Sequence, residues 1–269
     1  MKLTVLVDNH TLIDRYYLGE PAVFYLIEDG GQNILLDTGY SDVFLENAVR
    51  MGIDLSGVTD IVFSHGHNDH TGGLPAFLAR FSQGVRLFAH PRALLPKRVE
   101  GMEVGSPISL EKLPQRVQTR LVTKPCAVSE HVLFLGEVPR VYAFEQNRAV
   151  GEAPSACGCC WESDALADDT SLALVLPEGV FVVTGCAHAG VCNTVAYAKE
   201  ISGKERVLGV LGGFHLFETG GALDETIATL RALGVERVYP AHCTSLAVKS
   251  ALFAAMLTQE VGVGLTILW

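Results

Sequence analysis

The sequence predicts an α/β fold, and three observations carry that expectation. Short segments rich in Val, Ile and Leu read as strands, and between them run stretches with apolar residues at helical spacing. At 269 residues and 49% apolar, the chain is long and apolar enough to bury a sizeable core. Separate strands end in loops carrying His, Asp or Cys, at 37, 65–70, 186–188 and 242, with 215 as a further one. Open α/β sheets gather their sites at strand carboxyl ends, so these endings read as one site assembled from across the chain.

The first three strands are expected at 3–7, 22–27 and 33–37, with Asp29-Gly30-Gly31 as a hairpin turn. Asp37 closes the third strand as a turn former, or as a carboxylate that reaches in to orient a metal-bound histidine. Ser41 offers an N-cap for a helix through Met51, with Val43, Phe44, Ala48 and Val49 as its apolar stripe. A strand at 60–64 then delivers Ser64-His65-Gly66-His67-Asn68-Asp69-His70-Thr71-Gly72-Gly73. Three imidazoles and a carboxylate within six residues match the donors of transition-metal sites. His65 and His67, two apart on an extended segment, project the same way, while Asp69 and His70 point at a second ion. Thr71-Gly72-Gly73 leads into a helix to about Phe81, and a strand at 85–89 ends at His90, a substrate contact or a half-buried loop histidine.

From about 92 to 165 the pattern loosens into an insertion or lid, with short strand-like pieces at 117–123, 132–135 and 140–144. Arg92, Lys97 and Arg98 form a basic cluster there, read as a solvated loop or as an anion-contacting lid. Cys157, Cys159 and Cys160 crowd one loop, and without a matching Cys-x-x-Cys they are expected to hold no metal. Seven unevenly spread cysteines do not make a disulfide framework. Strands at 171–176 and 180–184 come next, and the second ends in Thr184-Gly185-Cys186-Ala187-His188-Ala189-Gly190. A helix to about 201, a strand at 206–211 ending in Gly212-Gly213-Phe214-His215-Leu216, a helix at 224–233 and a strand at 236–239 lead to Pro240-Ala241-His242-Cys243-Thr244. A helix at 245–257 and a strand at 263–268 finish the chain, read as a single domain over 1–269.

Composition also excludes. A net charge of -10 argues against binding a phosphate backbone, so nucleic acid is not the expected partner. No run of eighteen apolar residues marks a membrane span. The opening Met1-Lys2-Leu3-Thr4-Val5-Leu6-Val7-Asp8 reads as a strand and lacks the apolar core of a signal peptide, so the cytoplasm is expected. Mean hydropathy is +0.29, as for a well-buried globular chain.

Taken together, His65-Gly66-His67-Asn68-Asp69-His70, Asp37, Thr184-Gly185-Cys186 and Ala241-His242 resemble the metallo-β-lactamase superfamily. The later motifs look like a narrower branch, labelled metal-dependent hydrolases or dihydropterin-ribofuranosyl-aminobenzene phosphate synthase-like proteins. The resemblance implies a four-layer αβ/βα sandwich with a dinuclear metal site. It implies His65 and His67 on metal one, and Asp69, His70 and His242 on metal two. Cys186 stands where most members bridge the ions with Asp, which makes the site more thiophilic. The usual third histidine of metal one is absent, and His188 is taken as its substitute, with Glu162, Asp164 or Asp168 as the fallback.

The expected activity is metal-dependent hydrolysis of a small anionic or phosphorylated ester-type substrate by a metal-bound hydroxide. Two divalent ions, zinc first and iron or manganese as alternatives, acidify a water and clamp the substrate oxygens. Asp69 orients the attacking oxygen or passes its proton, and His215 stabilises developing charge or binds an anionic group, with a structural histidine as the competing reading. The alternatives are a synthase-like transferase on the same metals and a metal- or redox-sensing protein. A nuclease is disfavoured by charge, and a di-iron oxidoreductase by the His at 67 where those enzymes carry Glu.

Overall fold

The structure is a computed structural model that describes residues 1–145, 149–155 and 157–269. Positions 146–148 and 156, inside the loosely patterned 92–165 stretch, lie outside the described residues. The chain divides into two compact units, one of residues 1–123, 148–168 and 262–269 and one of 124–147 and 169–261.

Unit 1 is built on a seven-stranded sheet in the order Thr266–Leu268, Lys2–Val7, Phe24–Asp29, Gln32–Leu36, Asp60–Val62, Val85–Ala89, Val117–Leu121. The first three neighbours pair antiparallel and the remaining pairs run parallel. Gly30 and Gly31, at φ 57° and 97°, turn the hairpin as two consecutive left-handed residues must. The helix Val43–Met51 lays Phe44 and Ala48 into a core with Leu6, Leu35, Ile61, Phe63 and Phe77. Its buried Asn47 donates to the carbonyls of Leu6 and Leu18 and accepts from the Leu18 N–H, so that polar group is satisfied.

Ser41 stands one residue before the N-cap position, and its hydroxyl accepts the Val43 N–H at 3.3 Å. Asp42 occupies that position, and the Ser41 hydroxyl is drawn to Glu20 at 2.6 Å. A separate four-stranded sheet gathers Arg98–Val99, Met102–Glu103, Glu152–Pro154 and Trp161–Ser163.

Unit 2 carries a six-stranded sheet in the order Val238–Ala241, Val207–Gly213, Gly179–Thr184, Ser171–Leu176, Val132–Phe134, Cys126–Ala127. The first three are parallel and the rest antiparallel. Helices Val191–Ser202, Gly221–Ala232 and Leu246–Ala255 supply Val195, Ala198, Ile227, Leu230, Val248 and Leu252 to its core. The strand expected at 140–144 is absent. Asn193 Oδ1 takes the N–H groups of Val141 and Tyr142 at 2.8 and 3.0 Å, which leaves no ladder to join. A single 3-10 turn, Ala143–Glu145, follows and aims Glu145 at the start of helix Val191–Ser202, where its oxygens accept from Cys192 and Asn193 at 2.8 Å. The expected closing strand begins later, at Thr266, because Leu265 N and Gly264 N are spent on turn and bridging bonds. Among the described residues no helix is long and apolar enough to cross a membrane.

The seven-stranded sheet thus has four neighbouring parallel strands and the six-stranded sheet three, and in each sheet three such neighbours end in loops that carry candidate donors. In unit 1 they end at Asp37, at Ser64–His70 and at His90. In unit 2 they end at Cys186–His188, at His215 and at His242–Cys243.

Candidate metal centre

In unit 1 the fixed point is Asp37, fully buried and held at φ 63°, a left-handed conformation that non-glycine residues adopt at a cost. Its carboxylate accepts from the Ser64 N–H at 2.8 Å, the Ser64 hydroxyl at 2.7 Å and His70 Nδ1 at 2.6 Å. A carboxylate only accepts, so Nδ1 of His70 carries a proton, and in the neutral ring Nε2 has the lone pair a metal takes. Ser64 Oγ also lies 3.1 Å from His65 Nδ1, which orients that ring with Nε2 outward. His65 Nε2 stands 3.0 Å from His67 Nδ1, and His70 Nε2 stands 3.5 Å from Asp69 Oδ2. Two nitrogens bound to one ion at about 2.0–2.1 Å sit roughly 3 Å apart, so the His65–His67 pair is spaced as adjacent ligands. Burial pushes the His67 imidazole down to about 4, only partly offset by the Asp69 charge, and keeps it in the neutral form that binds metal.

The loop is pinned from behind. The Gly66 N–H donates to Asp168 Oδ2 at 2.8 Å, and a Cβ on Gly66 would lie 2.2 Å from the Ala93 carbonyl oxygen. Asp168 Oδ1 receives Lys97 Nζ at 3.0 Å, and the same ammonium reaches Asp164 Oδ2 at 2.5 Å. All three residues are at most 2% exposed.

Lys97 is therefore an internal counter-ion, not part of an anion-contacting lid. Arg98 pairs with Glu152 at 2.7 Å and lies over the Trp161 ring, and Arg92 stands 3.8 Å from Glu162. Asp164 and Asp168 spend both oxygens on Lys97 and on the Leu166 and Gly66 N–H groups, and Glu162 is exposed. Asp164 and Asp168 therefore present no idle oxygen as a metal ligand, while Glu162 is an exposed carboxylate 3.8 Å from Arg92. His90 is buried, with Nδ1 accepting from the Arg92 N–H at 3.1 Å, which favours the loop-histidine reading. Cys157 and Cys159 are joined by a disulfide in an exposed loop beside a free Cys160.

In unit 2 the strand ends again strain the backbone. Ala187, His215 and His242 sit at φ 53°, 48° and 44°. The Gly213 N–H donates to the Gly185 carbonyl, and the Phe214 N–H to Thr244 Oγ1 at 3.1 Å, so the three loops are laced together. The Ala189 N–H is held by Asp169 Oδ2 at 2.8 Å, which positions His188, and the His188 and His215 ring centroids lie 4.2 Å apart. Donor atoms of Cys186, His215 and Cys243 all lie within 4.8 Å of one another. Burial pushes the Cys243 thiol up, but hydrogen bonds with Cys186 and His215 and the neighbouring imidazoles win and hold it well below its ordinary value.

Within unit 1 the structure brings together Asp37, His65, His67, Asp69 and His70, and within unit 2 Cys186, His188, His215 and His242. Sequence reasoning misses Ser64 and Cys243, and it gives Asp168 the role of a fallback ligand instead of a loop anchor. Ser64, directly before His65, is the hydroxyl that links Asp37 to both rings. Asp168 anchors the loop through Gly66. Cys243, next to His242, was visible as a thiol at a strand end.

Comparison with known proteins places the chain among metallo-beta-lactamase relatives. A family model described as the metallo-beta-lactamase superfamily matches residues 18–139. A hydroxyacylglutathione hydrolase of Stenotrophomonas maltophilia is 32% identical over 209 residues, 75% of this chain and 70% of its own length. The 7,8-dihydropterin-6-methyl-4-(beta-D-ribofuranosyl)-aminobenzene-5'-phosphate synthase of Methanocaldococcus jannaschii is 29% identical over 260 residues, 91% of this chain and 87% of its own. The crystal structure of a metal-dependent hydrolase of the beta-lactamase superfamily superposes with a TM-score of 0.85 at 27% identity, covering 100% of this chain and 99% of that one.

Proposed function

This chain belongs to the metallo-beta-lactamase superfamily and has its α/β fold, and on that premise we propose that it is a metal-dependent hydrolase with a dinuclear site. His65, His67 and His188 would hold one ion, and Asp69, His70 and His242 the other, with Cys186 between them in the place of the usual Asp. The two sets lie on different units, and their joining in one centre is part of the proposal. The bound ions, zinc first by this donor set, would supply a water acidified toward neutral pH and a Lewis-acid clamp on the substrate oxygens.

The chain's own residues do the rest. Asp37 and Ser64 fix the His65 and His70 rings, so no reorganisation is needed when a metal binds. Asp69 Oδ2 accepts the proton of the attacking water and returns it to the leaving group. His215 donates to the oxygen that gains charge. The observation that carries this reading is the Asp37–Ser64–His70 network, which commits a buried histidine to the tautomer a metal needs.

The substrate is proposed to be a small ester with an anionic or phosphorylated group. Its phosphate rests on the similarity to the Methanocaldococcus synthase, since Arg92, Lys97 and Arg98 face carboxylates of the protein. The same near-full-length similarity favours a second reading, transfer chemistry that builds a dihydropterin–aminobenzene riboside phosphate. A panel of phosphomonoesters, phosphodiesters, lactones and thioesters, run beside a dihydropterin with a phosphorylated aminobenzene riboside, separates the two. Turnover of an ester that disappears in His65→Ala supports hydrolysis. Product formation only from the paired substrates replaces hydrolysis with transfer.

A further inference from the structure

Cys186, His215 and Cys243 form a donor set larger than the proposed chemistry requires. They follow three neighbouring parallel strands of unit 2, so their loops leave the sheet side by side, and one donor atom from each lies within 4.8 Å of the other two. The backbone makes room for the sulfur. A Cβ on Gly213 would stand 2.5 Å from Cys243 Sγ, 2.6 Å from the Gly185 carbonyl oxygen and 3.2 Å from Cys186 Cα. Only glycine permits that approach. His215 is held left-handed, and its Nδ1 is buried with no hydrogen-bond partner among the described residues. A buried imidazole nitrogen left unpaired is costly, and a bound cation with the ligands it carries offers relief.

We propose that unit 2 has a cation position of its own, held by the Cys186 and Cys243 thiolates and the His215 imidazole and selective for a borderline-to-soft divalent ion such as zinc. Two sulfurs and one nitrogen are three legs of a tetrahedral zinc site, with the fourth left to water or an added ligand. A thiol still protonated when the ion arrives releases its proton to solvent as it binds. The position shares Cys186 and His215 with the proposed hydrolytic site, and an ion bound here takes His215 away from the charge-stabilising role given to it there.

The test is zinc-edge X-ray absorption and zinc titration on the full chain carrying His65→Ala, His67→Ala and His70→Ala together. Expected is retention of zinc with two sulfur neighbours at about 2.3 Å. Adding Cys243→Ser then leaves one sulfur and weakens zinc binding by about a hundredfold or more. A zinc with one sulfur or none in the triple variant, or unchanged affinity after Cys243→Ser, overturns the proposal. Should the triple variant not fold, alkylation of the unmutated protein with and without zinc, read by mass spectrometry, gives the same answer. Zinc protection of Cys186 and Cys243 together supports the site, and equal labelling of Cys243 in both conditions removes it. The dinuclear reading fails separately: equal zinc stoichiometry in the unmutated protein and the triple variant would sink that reading and leave the sulfur position standing.

Discussion

Lys97→Met is the most informative single change in unit 1. Lys97 is 1% exposed, and its ammonium lies 2.5 Å from Asp164 and 3.0 Å from Asp168, both buried. Methionine fills much of the same volume but leaves two buried carboxylates without a cation. Removing one partner of a buried ion pair costs about 3–5 kcal/mol. The comparison change is Arg98→Met, which breaks the half-exposed pair with Glu152; exposed pairs contribute about 0–1 kcal/mol. Urea unfolding at pH 7, followed by a probe in unit 1, should therefore move the midpoint markedly for Lys97→Met and little for Arg98→Met. Metal affinity should fall with it, because Asp168 Oδ2 also holds the Gly66 N–H at the centre of the histidine loop. Stability within about 1 kcal/mol of the unmutated protein would refute the argument that this triad anchors the loop.

Asp37→Asn removes the carboxylate charge and turns one of its two accepting oxygens into a donor, so His70 and the two Ser64 donors can no longer all be accepted, and metal affinity by titration should drop about 10–100-fold with little change in secondary structure. Gly66→Ala drives a Cβ into the Ala93 carbonyl, and thermal unfolding should show a loss of about 1–3 kcal/mol together with weaker metal binding. Burial depresses His67 in the fold to about 4 from an unfolded value of 6.5. Its contribution in the chelated protein is complete above pH 6.5 and is lost as pH falls toward 4, where the unfolded chain takes up a proton the fold refuses. Denaturation midpoints of chelated protein should decline across that window, and less so in His67→Gln.

Much of this was legible in the sequence because strand ends advertise themselves. Asp37, His65–His70, Cys186–His188, His215 and His242 each follow an apolar run. Neighbouring parallel strands then place those loops together within each sheet, a step that local pattern implies but does not draw. The buried polar partners were less legible. Lys97 sits between Arg92 and Arg98 and looks like one of an exposed basic trio, since nothing local says that Asp164 and Asp168 will come to meet it. The same two carboxylates look like spare metal ligands until their oxygens are counted. The run at 140–144 has strand-like residues, but Asn193, fifty residues on, claims its N–H groups. In the sequence Cys243 looks like part of a motif and not like a donor, because its proximity to Cys186 and His215 depends on three strands and on Gly213.

The central claim is that the strand-end donors hold metal. It is tested most directly by anomalous diffraction from crystals of protein purified without added metal and then loaded with zinc. The account predicts anomalous peaks within bonding distance of His65 and His67 and of Asp69 and His70, both absent in crystals of His65→Ala/His70→Ala. No peak at these side chains in any preparation, with His65→Ala leaving metal binding and activity unchanged, would contradict it.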